Sequence, residues 1–198
     1  RIGDAPWISS FSFSPAKIIT TGQGGCLTTN DPEKALSIKR LKDFGRESGG
    51  GDVHDHFGIN AKFTDLQAVV GLEQIKNIEE KIKTKKAIYN IYKREMADYC
   101  EMIDTSESVT PWFVDGYFTK VDKLADYLKR FGDIKTRRVY APMTTQKIYQ
   151  DNLVEIPVAE KYSNRGLWLP SSLNLTEQQI INICKHIKKF YEIKRDII

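Results

Sequence analysis

Cysteine is scarce in this sequence, and the few present exclude two classes of protein. Three occur, Cys26, Cys100 and Cys184. Their number is odd, they stand far apart and no CxxC pair is present, which argues against a disulfide framework and a zinc site and fits a reducing cytoplasm. Histidine is equally thin, with three residues in the chain. His54-Asp55-His56 offers two imidazoles at i and i+2, too few ligands for a metal centre, and Gly49-Gly50-Gly51 lacks the strand-then-helix setting of a phosphate cradle. His186, on a predicted helix, reads as structural. Charge of one sign is also missing: 30 basic against 26 acidic residues leave a net +4, which gives no reason to expect nucleic acid as a partner. No apolar run approaches the roughly 20 residues that span a bilayer, and there is no internal repeat or low-complexity tract.

What is there reads as an α+β succession. With 198 residues, 40% hydrophobic and 28% charged, one or two cores are affordable. Residues 7–13 alternate and carry aromatic and β-branched side chains, which predicts a strand running into a Ser14-Pro15 turn. Residues 18–21 and 26–29 flank Gly22-Gln23-Gly24-Gly25 and are expected to be two short strands joined by a tight turn. Asp31 as N-cap and Pro32 at the first helical position start a helix to about Phe44, stopped by Gly45. Residues 46–62 have no apolar period and form a long loop, uncommon without a job. Thr64-Asp65-Leu66-Gln67 is a capping box. It opens one long helix, or two nearly collinear ones, with Leu66, Val69, Val70, Ile75, Ile78, Ile82, Ile88, Tyr92 and Met96 on its apolar stripe and a solvated lysine-rich face. Strands are expected near residues 100–103, 112–118 and 134–140, with a helix over 119–131 closed by Gly132. A last helix begins at Thr176 with a second capping box and buries Ile180, Ile183, Ile187 and Phe190.

Lys17 sits between the proline turn and the glycine turn, at the end of an apolar, β-prone run. That setting favours burial, where loss of hydration lowers an amine's pKa and frees its lone pair, so the residue can form a Schiff base. The string FSFSPAKIITTGQGG, residues 11–25, resembles the cofactor-lysine segment of the DegT/DnrJ/StrS family of pyridoxal-phosphate (PLP) sugar aminotransferases, usually FSFHPTKNLTTGEGG. Residues 58–68, GINAKFTDLQA, resemble the family's GYNYRMTELQA. Thr136-Arg137 with Tyr140-Ala141-Pro142-Met143 is similar to TRPxxxPLH, and Arg165-Gly166-Leu167-Trp168-Leu169-Pro170-Ser171 to RGLxLPS, in relatives acting on nucleotide-linked 4-keto-6-deoxy sugars.

The resemblance implies roles for particular residues. Lys17 becomes the Schiff-base lysine and proton shuttle; dehydratase relatives carry histidine there, so a retained lysine favours aminotransfer. Ser12, five residues before it, becomes a hydroxyl donor to the cofactor phosphate, with Ser14 a weaker rival. Asn60 is implied to reach the neighbouring subunit's cofactor phosphate in a homodimer with shared active sites; the alternative is a residue making local backbone bonds. Lys62 replaces the usual arginine, keeping the charge but not the flat fork, so any carboxylate contact made there to substrate is weakened. Arg137 is implied to bind substrate, its guanidinium suiting a diphosphate or a donor carboxylate. Arg138 and Thr144 depart from the family's proline and histidine and leave the sugar's identity open.

The fold implied is α/β: the C-terminal part of the large domain of a fold-type-I PLP-dependent transferase over residues 1–80, and a small C-terminal α+β domain over 81–198. The chain opens at Arg1, and no upstream aspartate motif is present to pair with the cofactor's pyridine nitrogen; Asp4 is too close to Lys17 for that role. It is therefore expected to be the C-terminal portion of a longer cytoplasmic enzyme, binding PLP poorly and turning over nothing by itself. The complete protein is expected to transfer an amino group, with glutamate as donor, to a nucleotide-linked keto sugar. A non-catalytic dimerisation or relict module, and an aminotransferase of a cyclitol or other keto acceptor, stay open as alternatives.

Overall fold

The computed structural model describes residues 7–47, 51–149 and 154–193; Asp4, Gly49 and Gly50 lie outside them. The described chain forms β1 (Ser9–Ser12), β2 (Gly25–Thr28), α1 (Pro32–Lys42), α2 (Asp65–Ile75), α3 (Ile78–Met96), β3 (Val114–Tyr117), α4 (Val121–Gly132), β4 (Arg137–Arg138), α5 (Pro157–Arg165), β5 (Gly166–Leu169) and α6 (Glu177–Glu192). It divides into two compact units, Arg1–Glu79 and Glu80–Ile198.

In the first unit β1 pairs antiparallel with β2, Ser12 opposite Gly25 and Ser9 opposite Thr28. This departs from the expected pairing across the Gly22–Gly25 turn. Residues 18–21 are not a strand, because Thr20 and Thr21 spend their donors on the Phe13 carbonyl instead. Asp31 caps α1 by accepting from the amides of Glu33 and Lys34, and its carboxyl is held below the usual range, mainly by the Lys34 side chain. Both predicted capping boxes are present, at Thr64 on α2 and Thr176 on α6.

In the second unit β3, β5 and β4 form an antiparallel sheet with β5 in the middle. Neither β5 nor α5 was predicted as an element, and the strands expected over 100–103 and 134–140 shrink to a Glu101–Tyr117 bridge and two residues of β4. Gly132 is the last residue of α4 rather than its stop. Asp133 takes the left-handed conformation at φ 47°, and a Cβ at Gly132 would lie 2.7 Å from the terminal methyl of Ile134, which would have to shift to admit it.

The core is unevenly distributed. Every buried apolar side chain among the described residues lies in the second unit, where Tyr92, Met96, Leu124, Leu128, Leu167 and Ile187 are sealed between α3, α4, α6 and the sheet. The stripe of α2 has the helical period but no cover among the described residues: Leu66 is 82% exposed, and Val69, Val70, Leu72 and Ile75 are also open. Periodicity identifies an apolar face without saying what packs on it. Leu124→Ala is therefore expected to cost about 2–5 kcal/mol, whereas Leu66→Ala in this chain alone stays within roughly 0.5 kcal/mol; denaturant unfolding of the two variants checks this, and equal losses would contradict it.

Candidate active site

The loop that carries Lys17 is closed at one atom. β1 ends at Ser12, and the Phe13 amide then donates to Gly24 O at 2.9 Å, while Phe13 O accepts both the Thr21 amide at 3.0 Å and the Thr20 hydroxyl at 3.1 Å. Residues 14–20 are pinched out between these bonds. Within them the Lys17 amide donates to Ser14 O at 3.1 Å, forming a turn, and the lysine is half-buried. Thr21 is buried and donates its hydroxyl to Gln23 O at 2.7 Å, and the Gly22 amide donates to Thr20 Oγ1 at 3.0 Å. Gly22 and Gly24 have φ of 78° and 134°, a region costly for other residues. At the loop's start the Ser12 hydroxyl donates to Ser14 Oγ and accepts the Ser14 amide, both at 3.3 Å. Ser12 is exposed and Ser14 half-buried, so two hydroxyls are presented together.

The second motif is fastened to the first. Gln67 Oε1 accepts the amide and hydroxyl of Thr64, both at 3.0 Å, completing the cap of α2; its amide nitrogen reaches across to donate to Gln23 O at 2.8 Å. Phe63 meets Phe13 edge-on with ring centres 6.3 Å apart, and a Cβ at Gly24 would lie 2.5 Å from the Phe63 ring. A cavity of about 300 Å³ lies along this seam, walled by Phe13, Ile19, Thr20, Phe63 and Leu72. Gln67 and Phe63 escaped the sequence reading as site residues. The capping box showed Gln67 only as a helix start, because its second partner lies 44 residues away.

Asn60 and Lys62 stand at the neck of the long loop. Residues 41–44 and 59–61 run antiparallel: Ile59 N donates to Leu41 O at 2.7 Å, Phe44 N to Ile59 O at 3.1 Å and Ala61 N to Lys42 O at 3.0 Å, with Asn60 opposite Asp43. Gly45 and Gly58 let the backbones touch, since a Cβ at Gly58 would fall 1.9 Å from Gly45 N. Asn60 is exposed there. Lys62 Nζ pairs with Asp43 at 2.8 Å and lies 4.9 Å from the centre of the Phe44 ring, while Arg46 takes the same carboxylate at 2.7 Å. The Lys62 hydrogen bond, followed by that of Arg46, holds the Asp43 carboxyl below its usual range. This tie is complete at neutral pH and is lost as pH falls through that lowered value. His54 contacts Phe44 O at 2.8 Å and His56 contacts Glu47 at 2.9 Å. No group of three or more metal-ligating side chains occurs among the described residues.

Arg137 belongs to the second unit. It is exposed on β4 directly opposite Trp168 of β5, its guanidinium 5.0 Å from the Trp168 ring centre and 5.8 Å from that of Tyr140. Its neighbour Arg138, a departure from the family pattern, has a structural task. It donates to Ser163 O and Asn164 O at 3.0 and 2.9 Å, capping the end of α5, and approaches Asp122 at 3.6 Å. Beside Arg137 lies a cavity of about 630 Å³ walled by Tyr89, Trp112, Phe113, Asp115, Tyr140 and Trp168. Burial pushes the Asp115 carboxyl up, and its Oδ1 has no hydrogen-bond partner among the described residues.

Comparison with known proteins matches residues 1–188 to the DegT/DnrJ/EryC1/StrS aminotransferase family. The chain is 32% identical over 191 residues to a GDP-perosamine synthase of Escherichia coli O157:H7, covering 94% of this chain and 52% of that protein. It is 30% identical over 204 residues to a GDP-perosamine synthase of Vibrio cholerae, covering 96% and 54%. Among solved structures, a DegT DnrJ EryC1 StrS aminotransferase from Brucella abortus superposes with a TM-score of 0.83 at 25% identity, covering 92% of this chain and 50% of that one. The chain thus spans about half the length of the curated relatives it matches.

Because Gln67 both caps α2 and holds the glycine turn, the two tasks are separable. Gln67→Glu keeps the acceptor for Thr64 but sets a carboxylate against Gln23 O, at a cost of about 1–3 kcal/mol. Amide hydrogen exchange over residues 20–25 is expected to quicken roughly tenfold or more while α2 keeps its protection; unchanged exchange would show that the bond does not hold the turn.

Proposed function

Since this chain belongs to the DegT/DnrJ/EryC1/StrS aminotransferase family and has the α/β fold of fold-type-I PLP-dependent transferases, we propose that the complete protein transfers an amino group from glutamate to a keto-deoxysugar carried on a nucleotide. The observation that carries the reading is the Phe13-clasped loop, with the Lys17 side chain half-buried on it and the Ser12 and Ser14 hydroxyls paired at its start. That donor set fits pyridoxal phosphate: an amine for its aldehyde, and neutral hydroxyls that support a phosphate dianion without adding charge. When bound, the cofactor supplies an aldehyde that accepts an amine and a conjugated ring that takes up an electron pair from the neighbouring carbon.

The residues of this chain divide the rest of the work. Lys17 Nζ would hold the cofactor and, freed by the incoming amine, would move the proton between the amine-bearing carbon of the substrate and the cofactor's aldehyde carbon. Ser12 donates to the phosphate. Asn60, exposed at the loop neck, completes the phosphate site of a second copy in a homodimer. Lys62 already faces Asp43, so its part in substrate binding is to hold the neck and lend charge. Arg137 takes the diphosphate of the nucleotide. The relatives named GDP-perosamine synthase support a nucleotide-sugar acceptor.

We place the protein in the cytoplasm. No helix among the described residues is long and apolar enough to cross a membrane. Burial pushes the thiols of Cys100 and Cys184 each up to about 12, which keeps them inert at neutral pH.

Incubating the complete protein with PLP, ¹⁵N-glutamate and a nucleotide-linked 4-keto-6-deoxy sugar is expected to yield ¹⁵N-labelled amino sugar. Lys17→Ala should lower the rate by about 1,000-fold or more, and Ser12→Ala should weaken cofactor binding by roughly tenfold. Label transfer that survives Lys17→Ala would refute the assignment; absence of transfer to any nucleotide-linked keto sugar would favour a non-catalytic module or another acceptor.

A further inference from the structure

Three stacked rings and a guanidinium are grouped on the sheet of the second unit. Trp112 stacks on Phe113 with ring centres 4.2 Å apart, and Phe113 stacks on Trp168 at 4.1 Å with the planes within 18°. The Arg137 guanidinium lies 5.0 Å from the Trp168 ring centre, and Tyr140 meets Trp168 edge-on at 4.9 Å. Trp168 is 8% exposed, on the central strand of its sheet, and Arg137 is its direct cross-strand partner. The tryptophan is therefore fixed in place, and the arginine over its ring is exposed.

The partners of the neighbouring cations sharpen the contrast. Arg138 is consumed by the end of α5, Arg165 by Glu101 at 3.2 Å, and Lys161 lies over Tyr162. Arg137 makes ring contacts alone among the described residues, with no carboxylate or carbonyl taking its N–H groups. A guanidinium resting over aromatic rings, with none of its N–H groups taken by a carboxylate or carbonyl, has donors left for the paired oxyanions of a diphosphate.

We propose that Trp168 is a positioning residue: by lying under Arg137 it presets the guanidinium as a diphosphate site, opening beside the aromatic cavity. The proposal rests on the nucleotide-sugar reading above and adds the residue that sets the geometry of its anion contact. Trp168 itself touches no phosphate; its effect passes through Arg137.

Inorganic pyrophosphate is the probe, titrated calorimetrically into the complete protein at low ionic strength, so that neither cofactor nor turnover enters the measurement. Trp168→Leu is expected to weaken binding about five- to tenfold and Trp168→Phe, which keeps an aromatic face, by about twofold. Arg137→Ala should weaken it at least as much as Trp168→Leu, and adding Trp168→Leu to Arg137→Ala should change nothing further, the signature of one residue acting through the other. Near-UV circular dichroism of Trp168→Phe reports that the sheet is intact. The proposal is overturned if the parent protein does not bind pyrophosphate, or if Trp168→Leu weakens binding equally with and without Arg137. Amino transfer without the pyrophosphate coupling would sink this inference alone; the coupling without amino transfer would sink the function proposed above and leave the anion site standing.

Discussion

The carbonyl oxygen of Phe13 is the constraint on which the candidate site depends. By accepting the Thr21 amide and the Thr20 hydroxyl it converts the end of β1 and the start of the glycine turn into the two sides of one loop, with Lys17 between them. A lysine side chain carries about 2 kcal/mol of rotamer entropy, and a loop free to open would add backbone freedom to that. Fixing the loop at its base restricts where the amine can go before any ligand arrives. The glycine turn is held in its own right by the Thr21 hydroxyl and by Gln67 of α2. The two motifs most characteristic of the chain are therefore one assembly in space.

The cations near the candidate sites sort by what they are allowed to do. Lys62, Arg46 and Arg40 are spent on Asp43 and Glu47, where they close the neck of the long loop. Arg138 closes a helix end. Lys85, half-buried with its pKa lowered by desolvation, ties Trp112 O and Ser171 O together. Lys62 and Arg46 also lie over the Phe44 ring, but Arg137 alone among these has ring contacts and no ion pair or hydrogen bond among the described residues. Ion pairs at partly exposed positions contribute little to stability, so the value of the first group lies in geometry, while the guanidinium of Arg137 rests over rings with its donors open.

Features set by neighbours in sequence were legible before the structure. The Asp31 cap, the two capping boxes and the apolar face of α6 depend on residues within a few positions of one another, and each is present as read. Features set by distant partners were not. The pairing of β2 with β1 hinges on hydrogen bonds to Phe13, and β5 is a four-residue run whose strand character comes from having partners on both edges. The α2 stripe showed a period but concealed that its side chains stand exposed among the described residues. Arg138 looked like a lapse from a family pattern and is instead a cap that only the fold explains. Lys17 and Ser12 were singled out from their strings; the hydrogen bonds of Gln67 and the packing of Trp168 required coordinates.

All of this converges on one side-chain nitrogen. The most direct measurement is to load the complete protein with pyridoxal phosphate, reduce it with borohydride, digest it and locate the added pyridoxyl mass by tandem mass spectrometry. The account predicts the mass on the peptide containing Lys17, at that residue. Label on Lys62, on Lys85 or on any other lysine, or no label at all, would contradict it.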